Sequence, residues 1–124
     1  MEIDKIGVLG FWGFGVLGFA FKGLFILLRT EPSIKIQFVI GLLTTIAGFY
    51  FELSNIEWIL QLICIGMVMG IEGVNTAIEK LADYAQPDFD EKIGLIKDIS
   101  AGAVMVASIV AVIVGCIIYI PKVF

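Results

Sequence analysis

Residues 99–120 run for 22 residues without a single charge. At a rise of about 1.5 Å per residue, a helix of that length reaches across the ~30 Å hydrocarbon core of a bilayer. Lipid offers the backbone no hydrogen-bond partner, so such a stretch closes its bonds internally as a helix. Two further stretches fit the same solvent. Thr30 is a plausible N-cap and Pro32 suits a first helical turn, which opens a span over residues 32–51, uncharged from residue 36 onward. After a short polar turn at residues 52–57, a second span covers residues 57–84, uncharged from Trp58 to Ile71 and more polar beyond. Residues 86–92, with Pro87, read as a loop, and the third span then covers residues 96–120, closed by Pro121 and Lys122.

Composition agrees with this solvent. The chain is 60% hydrophobic and 16% charged, against ~45–50% apolar in soluble proteins. Its 124 residues bound it to one domain, taken as residues 1–124. Residues 7–28 are rich in Gly and Phe, with Lys22 as their only charge. They predict a helix lying on the membrane surface, its Phe11, Trp12, Phe14, Phe19, Phe21 and Phe25 in the interface. Gly13-Phe14-Gly15-Val16-Leu17-Gly18 matches the dinucleotide pattern letter for letter, but no strand precedes it and no βαβ unit follows. Met1-Glu2-Ile3-Asp4-Lys5 is acidic where a signal peptide is basic, so no cleaved leader is expected. A net charge of −4 without a basic stripe argues against nucleic acid. There is no His, and Cys64 and Cys116 both sit in apolar runs, which suits small buried hydrophobes better than a disulfide or zinc site.

Basic residues set the expected orientation. Lys5, Lys22, Arg29, Lys35, Lys80, Lys92 and Lys97 lie around the start of the first span or between the second and third. By the positive-inside rule, the N-terminus and the loop between those spans face the cytoplasm. Glu31, Glu79, Asp83, Lys97 and Asp98 then converge near the cytoplasmic face, with Glu72 somewhat deeper.

Read as a helix with Glu72 at zero, Asn75 falls near ~300°, Glu79 near ~340° and Asp83 near ~20°. A carboxylate in hydrocarbon costs a few kcal/mol, so such a stripe faces a protein interior and marks a functional site. Carboxylates on one helix, with Glu31 at the turn before the first span, suit Mg²⁺, which binds one or two carboxylates beside substrate phosphates. Lys97 and Asp98 at the start of the third helix add a phosphate-sized cation and an acceptor, and helix N-termini favour anions. Together these are the parts of phosphoryl transfer. Two other readings stay open on the residues alone. Glu79-Lys80 and Lys97-Asp98 are also consistent with ordinary charges at helix ends. An ion or proton conductor would use the Glu72, Glu79 and Asp83 stripe. Ala103, Ala107, Ala111 and Gly115 form a small-residue ladder that lets helices approach closely, in keeping with a homo-oligomer.

Glu72-Gly-Val-Asn75-Thr76-Ala77-Ile78-Glu79-Lys-Leu-Ala-Asp83 resembles the signature of the small prokaryotic lipid kinases, the diacylglycerol kinase and undecaprenol kinase family. Lys97-Asp98-Ile99-Ser100-Ala101-Gly102-Ala103-Val104 resembles the family's second motif. Ala20-Phe21-Lys22-Gly23, followed by Arg29-Thr30-Glu31, resembles its amphipathic entering segment. The resemblance covers essentially the whole chain. It implies an all-α membrane protein of three transmembrane helices and an N-terminal surface helix, forming a homotrimer with shared active sites in the bacterial cytoplasmic (inner) membrane. It implies transfer of the γ-phosphate of ATP, with Mg²⁺, to the hydroxyl of a membrane lipid alcohol, undecaprenol or diacylglycerol. By matching position, Glu72 would be the base for the lipid hydroxyl and Glu31 and Glu79 the metal ligands. Lys97 would contact the phosphates and Asp98 the nucleotide, with Asn75 and Asp83 supporting that shell. Asp88-Phe89-Asp90 occupies the place of the nucleotide-contacting loop, where the family's usual run is Glu-Tyr-His, and Phe19 stands where some members have a tyrosine near the base. Trp12 and Leu95 replace arginines of some members. Residues 29–37 look closer to the undecaprenol kinase form, with Gln37 in place of its histidine.

Overall fold

The structure is a computed structural model that describes residues 15–124. Four helices follow in order: α1 (Val16–Thr30), α2 (Pro32–Tyr50), α3 (Asn55–Ala85) and α4 (Glu91–Val123), with no strand among the described residues. The last three are long and apolar enough to cross a membrane. The all-α, three-span expectation therefore holds. The chain divides into two compact units, Met1–Lys35 and Ile36–Phe124.

In the first unit, α1 buries none of its residues, and Phe19, Phe21 and Phe25 are exposed, as a helix facing lipid or interface requires. Its predicted start at residue 7, the aromatics Phe11, Trp12 and Phe14, and Gly13 of the dinucleotide-like pattern lie outside the described residues. Arg29 sits in the last turn, where a cation complements the helix dipole, with its guanidinium 5.9 Å from the Phe25 ring centroid. Thr30 is not the N-cap of the next helix. Its hydroxyl donates to the Ile26 carbonyl at 2.6 Å and belongs to the end of α1. The break falls at Glu31, whose extended backbone (φ −99°, ψ 114°) is the conformation that a following proline imposes.

In the second unit, α2 ends in a tight reversal. Leu53 N–H reaches back to the Gly48 carbonyl at 3.1 Å, and Glu52 takes the left-handed conformation (φ 53°) that glycine adopts without strain. Ser54 then starts α3 with a reciprocal capping box. Its hydroxyl accepts from Glu57 N–H at 3.2 Å, and the Glu57 carboxylate accepts from Ser54 N–H at 3.0 Å. This cap puts the helix start at Asn55, ahead of the expected residue 57. Asp90 caps α4 by accepting from Lys92 and Ile93 N–H groups at 2.8 and 3.2 Å. The helix thus begins at Glu91, earlier than residue 96, and it carries Pro121 inside its last turn instead of stopping before it. So close to the end, the missing proline N–H removes a single helical bond.

Packing is by small groups and a polar tie. The buried residues of α4 are Ser100, Ala107 and Ile118, with Ala111 and Val114 half-buried between them. Ala103 is exposed, so the expected ladder is shifted: the packed stripe passes through Ala107 and Ala111 but not Ala103. Cys64 is buried as expected, whereas Cys116 is exposed. Gln61 Nε2 donates to the Thr44 carbonyl at 3.1 Å, and Tyr119 donates to the same carbonyl at 3.1 Å and meets Gln61 Oε1. One carbonyl of α2 thereby collects donors from α3 and α4. Beyond this tie, Lys122 of α4 pairs with Glu57 of α3 at 3.0 Å.

At the reversal, a Cβ placed on Gly48 would lie 2.6 Å from the Trp58 ring, which packs on Phe49 with centroids 4.9 Å apart. Gly48→Val should therefore destabilise the protein by about 1–3 kcal/mol through overpacking. Glu52→Gly should stabilise it by about 0.5–1 kcal/mol by relieving the left-handed residue. Thermal unfolding in detergent would show shifts of opposite sign; shifts of the same sign would contradict this account of the turn.

Candidate active site

The buried residues of α3 are Gln61, Cys64, Val68, Thr76 and Ala82. On a helical wheel all of them lie within about 80° of Glu72. Asn75, Glu79 and Asp83 fall on that same face. The carboxylate stripe is thus a continuation of the packed side of α3 and not part of its outward surface, where Ile59, Ile63 and Val74 are exposed. Along the stripe, cover thins out. Glu72 and Asn75 are half-buried, and Glu79 and Asp83 are exposed. Glu72 and Glu79 are separated by about 10 Å of helix axis. The face therefore opens from a sheltered carboxylate to accessible ones.

Two pairs of predicted site residues meet. Asn75 Nδ2 donates to Glu79 Oε1 at 3.3 Å, which orients that carboxylate. Asn75 Oδ1 is buried and has no hydrogen-bond partner, a state that costs free energy unless a ligand, ion or water completes it. Lys97 of α4 forms an ion pair with Asp83 of α3. This bridge closes the end of the two helices around residues 86–90. Because α4 starts at Glu91, Lys97 and Asp98 lie within the second turn and not at the helix N-terminus as the sequence suggested; the amides that end the helix belong to the Asp90 cap. Asp98 is exposed.

The other predicted residues are not gathered by these contacts. Asp88 and Phe89 are exposed in the loop, and Asp90 is engaged in its cap. Leu95 is exposed on α4, and Trp12 lies outside the described residues. Phe19 and Glu31 belong to the first unit: Phe19 is exposed on α1, and Glu31 is half-buried at the α1–α2 break. Buried Thr76 and Ser100 carry polar groups that the sequence reading did not assign. Their signal was the helical spacing, since Thr76 lies four residues beyond Glu72 and Ser100 three beyond Lys97.

The donor set suits a hard divalent cation. Among the described residues no three His, Cys, Asp or Glu side chains form a metal cage. Mg²⁺ does not need one: it keeps waters and takes one or two carboxylates beside substrate phosphates. Glu79, with the open Oδ1 of Asn75 beside it, offers oxygen ligands of that kind.

The structure thus gives a three-span helical membrane protein with an acidic, amide-supported face and an apposed lysine. The family described as prokaryotic diacylglycerol kinase matches residues 18–119, and the chain belongs to that family. It is 34% identical over 101 residues to an undecaprenol kinase of Bacillus subtilis (strain 168), covering 82% of each chain. It is 32% identical to a diacylglycerol kinase of Escherichia coli (strain K12), covering 82% of this chain and 83% of that one. A diacylglycerol kinase of Synechocystis sp. is 30% identical over 104 residues, which are 83% of this chain and 59% of that protein. The protein is a lipid kinase, and the conductor reading of the stripe has no support.

The Asp83–Lys97 bridge joins side chains that are 64% and 35% exposed. Water and salt screen such a pair, so its contribution to stability is small. A double-mutant cycle on Asp83→Asn and Lys97→Met should give a coupling below about 1 kcal/mol, shrinking in 1 M salt. A coupling several times larger, insensitive to salt, would contradict this description of the bridge.

Proposed function

We propose that the enzyme transfers the γ-phosphate of ATP to the hydroxyl of undecaprenol at the cytoplasmic side of a bacterial inner membrane, giving the lipid phosphate and ADP. The observation that carries this reading is the graded polar face of α3. A sheltered Glu72 lies next to the apolar span and an accessible Glu79 and Asp83 lie at its mouth, an order that suits an oily alcohol meeting a water-soluble nucleotide.

The lipid's tail stays in hydrocarbon while its hydroxyl reaches Glu72. The Glu72 carboxylate accepts the hydroxyl proton, and the oxygen attacks the γ-phosphorus in line. A new P–O bond forms, the bond to the β-phosphate oxygen breaks, and ADP leaves with the electron pair. Glu79 would hold Mg²⁺, with Asn75 fixing its carboxylate, and the family resemblance gives Glu31 the same role; the ion when bound would neutralise charge on the phosphates. Lys97 leaves or shares its bond to Asp83 to meet a phosphate oxygen, and Asp98, Phe19 and the loop at Asp88, Phe89 and Asp90 are the residues that the family resemblance assigns to the nucleotide. Most of the acceleration then comes from positioning and from charges already in place. A homotrimer would let neighbouring chains complete one another's sites. The choice of undecaprenol rests on residues 29–37, whose pattern is closer to the undecaprenol kinase form.

Purified protein in mixed micelles with radiolabelled ATP, supplied with undecaprenol and diacylglycerol side by side, tests the lipid. Higher kcat/KM on undecaprenol is expected, and the reverse order would overturn the choice. Glu72→Gln should lower turnover at least ~100-fold, as loss of a general base does, with ATP binding retained. Near-normal turnover would remove Glu72 from the base role.

A further inference from the structure

A cavity of about 300 Å³ lies inside the second unit, between all three spans. Its walls include Ile40 and Gly41 of α2, Cys64 and Met69 of α3, and Ala111 and Gly115 of α4. A Cβ added to Gly115 would meet nothing within 4 Å, so the wall there opens onto unfilled space. The lining is mostly apolar; Gln37 and Ser108 stand toward one end, and a larger group of polar side chains stands at the other. There Gln61, Tyr119 and Thr44 all line the cavity while bonded to one another in the tie around the Thr44 carbonyl.

The two ends of this cavity differ in kind. On α3 its lining runs from Gln61 to Met69, about 12 Å of helix, and on α4 from Ser108 to Tyr119, about 16 Å. Both lengths are close to the ~15 Å depth of one leaflet's hydrocarbon. Met69 stands three residues before Glu72, less than one helical turn, so one end of the cavity adjoins the sheltered carboxylate on the same face of α3. The other end stops at the polar tie. An apolar slot of leaflet depth, with a reactive carboxylate at its mouth and hydrogen-bonded groups at its base, has the dimensions and polarity of a socket for one hydrocarbon chain that bears a terminal hydroxyl.

We propose that this cavity receives a hydrocarbon chain of the lipid alcohol and that the Gln61–Tyr119–Thr44 tie is its floor, setting how deep the chain descends before it must turn out between helices. The inference rests on the kinase reading of Glu72 and adds the site that holds the chain. A chain lying in the socket brings its hydroxyl to Glu72 with its first carbons already confined, which lowers the entropy cost of attack. The polar floor disfavours a chain pushed past it, because burying methylenes against the groups of the tie would disrupt their bonds.

A straight-chain primary alcohol carrying a diazirine at its far end tests this directly, in the assembled protein in lipid nanodiscs. After illumination, mass spectrometry should find the label on the lining residues Gln61, Cys64, Ile65, Ala111, Gly115 and Tyr119. Excess unlabelled long-chain alcohol should compete at least fivefold, and excess phospholipid should not. Label confined to the outward residues Leu62, Ile63, Ile113 and Ile117, or competed equally by phospholipid, would overturn the proposal. So would absence of label from Cys64, Ala111 and Gly115, the result if a neighbouring chain fills the slot. Ala111→Phe, or Gly115→Leu should the first fail to fold, should cut labelling of the socket tenfold; undiminished labelling of either variant would also overturn it. Phosphate transfer by the same preparation reports separately on the kinase reading. An active enzyme with an unlabelled socket refutes this inference alone, and a labelled socket in protein that transfers no phosphate to any lipid alcohol refutes the reading beneath it.

Discussion

A carboxylate held beside hydrocarbon has few ways to exist. It must find a cation, a proton or a polar neighbour, and a helix in lipid can supply these only from its packed side. Glu72 obeys that constraint. It lies on the same face of α3 as Gln61, Cys64 and Val68, shielded from the outward surface, with Asn75 and Glu79 following it along the face. The rest of the second unit serves this arrangement. α4 packs along α3 and sends Lys97 to Asp83, so that the acidic face ends against a positive charge.

Rigidity comes from the opposite end. The capping box at Ser54, the Glu57–Lys122 pair and the tie between Gln61, Tyr119 and Thr44 fasten all three spans there. Within a bilayer such bonds are retained because the alternative is an unsatisfied polar group in hydrocarbon. At the mouth of the acidic face, Glu79 and Asp83 are exposed, and the buried Asn75 Oδ1 makes no hydrogen bond. One end of the bundle is completed by its own side chains, and the other leaves acceptors available to a ligand. A lipid kinase needs this asymmetry, because its nucleotide arrives from water and its acceptor from the membrane.

Much of this was legible in the sequence, for physical reasons. A charge-free run such as residues 99–120 leaves a backbone no choice but a helix, and the i, i+3, i+7 spacing of Glu72, Asn75 and Glu79 fixes a shared face. Helix ends were less legible. Ser54 with Glu57, and Asp90 two and three residues before the amides it caps, compete with the simpler signal of where charge begins, and each moved a start forward. A hydroxyl at a helix boundary can serve the helix behind it as well as the one ahead, and Thr30 serves the one behind. Ala103 spaces correctly with Ala107, yet the stripe that α4 buries advances in steps of three and four, passing from Ser100 to Ala107 without it. The tie at the Thr44 carbonyl had no sequence signal, since it depends on which residues of three separate helices share a depth.

The proposed function divides labour on one helix face, with Glu72 acting on the lipid and Glu79 on the metal–nucleotide. Binding of Mn²⁺ with ATP, followed by electron paramagnetic resonance in the wild type, Glu72→Gln and Glu79→Ala proteins, separates the two roles without any turnover. The account predicts that Glu72→Gln binds Mn²⁺–ATP within about threefold of the wild type, while Glu79→Ala loses at least tenfold in affinity, about 1.4 kcal/mol. Equal losses in both variants, or none in Glu79→Ala, would contradict it.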